Sequence, residues 1–146
     1  MFSRLKSLRS VALLAASLLC AVGAAGSASA DMGDFLGNWV NQDLDTSGIT
    51  HVVITPIGPA RVSIHVFGQC HPTDCDWGVV EGHSYFSGVS SGDVIMVTGT
   101  FNAGFARKFL IFRRARGERL EFEALTEFRD NSGRQDYDMN GKLVRM

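Results

Sequence analysis

From Asp31 to the C-terminus, apolar residues recur at every second position and almost nowhere at helical spacing. "ITHVVITPIG" and "RVSIHVFG" each alternate over four or more positions, and "PIGPA" between them supplies turn residues. That phase puts Val52 with Ile54 on one face, and Val62, Ile64 and Val66 on one face. His65 points to the opposite side, beside Ser63 and Phe67. "DVIMVTGTF" and "FARKFLIFRR" flank "NAG", a short hairpin loop. In "RLEFEAL", Leu120, Phe122 and Ala124 alternate with Glu121, Glu123 and Leu125. A turn at Arg116-Gly117 then pairs Phe112 with Phe122 and Arg113 with Glu121, aromatics inward and an ion pair outward. Phe109, Ile111 and Leu125 share the outward face, which suits a dimer, and the oligomeric state, monomer or homodimer, stays open. "FRDNSGRQDYDM" reads as a loop and "GKLVRM" as a last strand.

Val, Ile, Phe and Thr dominate these runs and glycine punctuates them, so the fold class is all-β. The expectation is a single antiparallel meander of about eight strands. An open meander leaves two edges exposed, and closing it removes both, so a closed barrel is predicted.

The first thirty residues are of another kind. Arg4, Lys6 and Arg9 precede the apolar run "VALLAASLLCAV" and the small residues of "GAAGSASA". This is the pattern of a secretory signal, with cleavage expected after Ala30 and residues 31–146 forming one mature domain. The apolar run is too short for a permanent membrane span. Cys20 follows Leu19, where lipid attachment requires a small residue, so it is expected to leave with the signal. The compartment is then the periplasm or the cell exterior. The chain has 14 Lys and Arg against 15 Asp and Glu, and three of the basic residues lie in the signal. The mature part is therefore acidic by four charges, which argues against nucleic acid as a partner. The basic "RRARGER" is followed by Glu121 and Glu123, as in a solvated hairpin with cross-strand ion pairs.

Candidate chemistry is concentrated in "GQCHPTDCDWG". Cys70 and Cys75 are the cysteines left after processing, and in an oxidising compartment they are expected to form a disulfide. Its closure contributes about 2 kcal/mol on the chain-entropy account. His71, Asp74, Asp76 and Trp77 then form a candidate binding loop. Asp74 and Asp76 are expected to hold nearby backbone N–H groups, and Trp77 to pack against the disulfide or cap a strand. Two other uses of the same atoms stay open. Cys70, Cys75, His71 and His65 have the elements of a zinc site, although only one closely spaced ligand pair exists; Asp74 and Asp76 offer oxygen to calcium without a familiar loop spacing. His71 with Asp74 or Asp76 has the elements of an acid–base pair, but no nucleophile elbow occurs in the chain. No catalytic residue, metal ligand or cofactor is assigned. His65 is placed one strand before the loop, with its ring near His71 or the loop carbonyls.

Two stretches carry resemblances. Gly37-Asn38-Trp39 is similar to the G-x-W opening of lipocalins and avidin-like barrels, which implies that Trp39 seals one barrel end. "GNWVNQDLDTSGITHVVI" and "VSIHVFGQCHPTDCDWG" resemble a group of small secreted bacterial proteins. That resemblance implies a fold and a compartment, and no functional residue is carried over.

The function expected is an exported, non-enzymatic binding module that takes a small apolar ligand or a protein partner. The Phe residues and Met96 either line a chamber or fill it. One alternative is an inhibitor of a periplasmic or extracellular hydrolase, anchored by the loop from Cys70 to Trp77. The other is a metal protein or enzyme built on His65, His71, Asp74 and Asp76.

Overall fold

The computed structural model describes residues 31–146, and the expected signal with its Cys20 lies outside the described residues. A short 3-10 turn (Met32–Asp34) leads into β1 (Gly37–Asn41), β2 (Ile49–Gly58), β3 (Arg61–Gly68) and β4 (Cys75–Phe86). β5 (Val94–Asn102), β6 (Ala106–Ala115), β7 (Arg119–Phe128) and β8 (Tyr137–Arg145) complete the chain. Each strand pairs with its neighbours in sequence, and β8 returns to β1 to give a closed eight-stranded antiparallel barrel. The seam is short: Trp39 faces Arg145, Val40 faces Val144 and Asn41 faces Leu143. Among the described residues, no helix is long and apolar enough to cross a membrane.

The period-two pattern reads out as an inner and an outer face. Val52, Ile54, Val62, Ile64 and Val66 are fully buried inside, as are Leu110, Phe112 and Leu120. Phe112 pairs with Phe122 and Arg113 with Glu121, as the hairpin register predicts. The ion pair runs diagonally instead: Arg113 bonds Glu123 at 3.3 Å, and Glu121 faces Lys142 of β8 at 3.8 Å.

Two strands extend beyond their sequence signals. β4 includes Trp77 and the mixed run "GVVEGHSYF", and β8 begins at Tyr137, inside the segment that reads as a loop. In both, an inward position is glycine because a large side chain from elsewhere occupies the space. Gly82 and Gly99 lie opposite each other beneath the end of Ile64; a methyl group on Gly99 would come 2.9 Å from Ile64 Cδ1. A methyl on Gly141 of β8 would come 2.7 Å from the Phe122 ring. The inside of the barrel is thus filled by its own side chains, with Phe101, Phe112 and Phe122 among them. Met96 sits between Tyr85 and Arg113 in the ladder and is not part of the buried cluster.

One end is sealed by Trp39, which is fully buried and donates its indole N–H to the Phe35 carbonyl at 2.9 Å. The Arg145 guanidinium lies 4.4 Å over the indole ring and donates to the Leu36 carbonyl at 2.6 Å. Gly37, at φ 123°, leaves room for that guanidinium, since a Cβ there would lie 2.7 Å from Arg145 Nη1. A lysine would lose both the flat stack and the second donor.

Candidate binding site at the loop-bearing end

The barrel end opposite Trp39 carries four connections: residues 42–48, 69–74, 103–105 and 129–136. Cys70 and Cys75 are joined by a disulfide, Cα atoms 5.4 Å apart, and Cys75 lies across the ladder from Gly68. The His71–Pro72 peptide is cis. The stapled loop is tied to β2 through Asp74, whose carboxylate accepts from Thr50 Oγ1 at 2.6 Å. Asp76 holds a backbone group, as expected: its Oδ1 accepts from Gly78 N–H at 2.7 Å and meets His65 Nε2 at 2.7 Å. The Gly78 N–H first, and then His65, hold the Asp76 carboxyl below the ordinary aspartate range.

His65 and His71 bond different partners. His65 pairs with Asp76, and its ring lies 4.3 Å from Phe67, which stacks on His51 at 5.2 Å. This row lies on the outer face of the barrel. His71 accepts instead from the Gln69 amide at 2.8 Å. The two sulfurs are bonded to each other, so the zinc arrangement that would use them as thiolates is not formed. Among the described residues, no group of three or more His, Cys, Asp or Glu is placed to hold a metal ion. His65 and Asp76 make an imidazole–carboxylate pair, yet no hydroxyl or thiol among the described residues bonds the ring.

Trp77 lies over Gly68, the ladder partner of Cys75. Gly78 (φ 87°) breaks the alternation of β4 and turns Trp77 inward over Gly68, where a methyl group would come 2.5 Å from Trp77 Nε1. The indole is half-buried against the core, and the Lys108 ammonium sits 4.0 Å from its ring centre. Lys108 is itself an inward residue of β6, facing Phe101 on one side and Thr126 on the other. Thr126 is 2% exposed, and its Oγ1 has no hydrogen-bond partner among the described residues. His51 Nε2 on the outer face shares that condition.

A second cluster rims the same end. Arg134 lies 3.9 Å over the Phe128 ring and 5.2 Å over Phe105, is paired with Asp130, and Tyr137 leans on Phe128 at 6.0 Å. Phe105 and Tyr137 remain 49% and 43% exposed, which leaves aromatic surface available to a partner. Beside them, Thr46, Ser47, Gly48, Tyr137 and Met139 border a groove of about 310 Å³.

No family profile, curated protein or solved structure matches the chain.

Lys108, Thr126, Phe105, Phe128, Arg134 and Tyr137 were not legible as site residues. Lys108 carried one overlooked signal: in "FARKFLIF" it occupies the same alternation phase as Leu110 and Phe112, which makes it a lysine on an inner face.

Proposed function

We propose that this chain is an exported, non-enzymatic binding module that works through its loop-bearing end and not through an internal chamber. The supporting observation is the filled interior: Ile64 over Gly82 and Gly99, and Phe122 against Gly141, occupy the volume an enclosed apolar ligand would need. The loop end, in contrast, presents Phe105 and Arg134 in the 103–105 and 129–136 connections and Tyr137 at the start of β8, with Arg134 stacked on Phe128. These are residue types enriched at protein interfaces. The occupant this end suits is therefore a protein partner, and inhibition of an envelope hydrolase is the most specific form of that role. Kinship with lipocalin- and avidin-like barrels belongs to this proposal, supported by the way Trp39 closes the opposite end.

The proposal is tested with a photo-crosslinking amino acid placed at Phe105 or at Val89, an exposed residue at the opposite end. Capture of an envelope protein from position 105 and not from position 89 is the expected result. Capture from position 89 alone, or a small apolar molecule retained in native mass spectrometry, refutes it. Export is checked by the N-terminal sequence of the processed protein, which should begin at Asp31.

A further inference from the structure

The mouth holds a charge with no counter-charge. Lys108 points inward from β6 and makes no ion pair among the described residues. The acids of the stapled loop and of the 129–136 connection are turned elsewhere: Asp74 to Thr50, Asp76 to His65, Asp130 to Arg134, and Asp136 to the Phe128 N–H at 2.8 Å. In the 42–48 connection Asp43 accepts from the Asp45 N–H, and neither residue pairs with Lys108. Directly across the β6–β7 ladder from Lys108 stands Thr126, 2% exposed, with an unpartnered Oγ1 on the inner face. A buried hydroxyl without a partner and a lysine on an inner face are each unfavourable for folding alone. They occupy neighbouring inner-face positions at the mouth of the barrel, with the ammonium against the flat Trp77 ring.

We propose that Trp77, Lys108 and Thr126 form a seat for a single carboxylate group, a reading that deepens and rests on binding at the loop-bearing end. The ammonium supplies the charge, the Thr126 O–H the second donor, and the indole a wall for the planar group. Lys108 has a long flexible stem, so its ammonium can follow an incoming anion. A phosphate is a poorer match, since it presents more oxygens and more charge than two donors satisfy. A long apolar tail is excluded by the filled core below, where Phe101, Leu110 and Phe122 are buried. The carboxylate comes either from an acidic side chain of the partner or from a chain terminus.

The test is titration of the ¹⁵N-labelled mature protein with sodium acetate and sodium benzoate, against sodium chloride at equal ionic strength. Trp77 and Thr126 resonances report, and the buried Trp39 indole serves as an internal reference. Saturable shifts with a Kd on the order of millimolar are expected for the carboxylates and not for chloride. Lys108→Met, which keeps the stem, should abolish them, and Thr126→Val should weaken binding roughly tenfold. Two peptides separate the sources: one with an internal Glu and an amidated end, one with Gln and a free C-terminus. Binding of either identifies the source. No saturable shift, or a shift that survives Lys108→Met, overturns the seat. If capture from position 105 persists undiminished in Lys108→Met, binding at the loop end stands and the carboxylate seat falls. Titration without any capture from position 105 has the reverse meaning.

Discussion

Replacing Thr126 by valine should make the protein more stable. The two side chains have nearly the same shape, so the packing of an inner-face residue that is 2% exposed is retained, and the polar atom is exchanged for a methyl group. Thr126 Oγ1 has no hydrogen-bond partner among the described residues, so nothing in the fold compensates the desolvation of its hydroxyl. Mutational series put that cost at about 1–3 kcal/mol. Valine is at least as favourable as threonine in a strand, so no propensity loss opposes the gain. We expect a net gain of about 1–2 kcal/mol. In urea, with a slope of about 2 kcal/mol/M for a small protein, this moves the midpoint up by roughly 0.5–1 M and leaves the slope unchanged. For a domain of this size the same gain raises Tm by roughly 3–8 °C. Thr126→Ser is the companion: it keeps the hydroxyl, removes the methyl and should be destabilised by about 1 kcal/mol. A lower midpoint in Thr126→Val, with Thr126→Ser near wild type, would show that the hydroxyl is satisfied in the folded protein. The argument for a ligand-facing donor would then fail with it.

The opposite outcome is expected at Asn41, 5% exposed, whose Nδ2 donates to the Ile49 carbonyl at 2.7 Å and whose Oδ1 accepts from the Asp43 N–H at 2.9 Å. Asn41→Leu leaves both backbone groups without that partner and should cost about 2–3 kcal/mol in urea unfolding. Reduction of the Cys70–Cys75 bond, or Cys70→Ser with Cys75→Ser, should lower stability by about 2 kcal/mol and shift the Trp77 indole resonance while leaving that of Trp39 in place. The Asp76 carboxyl is held low by the Gly78 N–H and His65, so its folded pKa lies below its unfolded one. That contribution is present above the unfolded pKa and is lost as pH falls through the folded one, below about pH 4. The stability difference between wild type and Asp76→Asn should therefore be constant near neutrality and shrink in acid; a difference that grows in acid contradicts the assignment. Gly99→Ala should be destabilised by about 1–3 kcal/mol, because its methyl lies 2.9 Å from Ile64 Cδ1 and 3.2 Å from Val80 Cγ2. Adding Ile64→Val, which removes that Cδ1 atom, should recover part of the loss in a double-mutant cycle.

What the alternation could say depended on whether each strand kept its own large residues inside. β3 and β7 do, and their faces and the β6–β7 register follow from the pattern alone. β4 and the start of β8 do not. At Gly82 and Gly141 the inward side chain is absent because Ile64 and Phe122 reach into its place, and a single-strand pattern has no term for a neighbour's side chain. The stapled loop was legible as a disulfide because Cys70 and Cys75 have four residues between them and the N-terminal pattern of an expected secretory signal points to an oxidising compartment. Its polar residues were less legible. Asp74 reaches Thr50 in β2 and His65 reaches Asp76 across a bulge in the β3–β4 ladder, and both partnerships depend on the closed three-dimensional register.

The same glycines bear on where function can reside. A barrel that contains its ligand needs inward positions that are small and stay uncovered, but here the small positions are covered from the facing strand. Enlarging the interior would mean removing Ile64 or Phe122, each part of the core, at about 2–5 kcal/mol apiece. Stability and an internal chamber therefore compete for the same residues, and this chain places them with stability. At the loop end the preference reverses: Lys108 and Thr126 occupy inner-face positions that an apolar pair would fill more favourably. A fold that fills every other layer has a reason to leave that layer polar only if something outside the chain completes it. Lys108→Leu with Thr126→Val is the decisive form of that reasoning. It should be more stable than wild type and unable to shift with acetate, and a double variant that is less stable would place the two residues back among those that merely hold the barrel together.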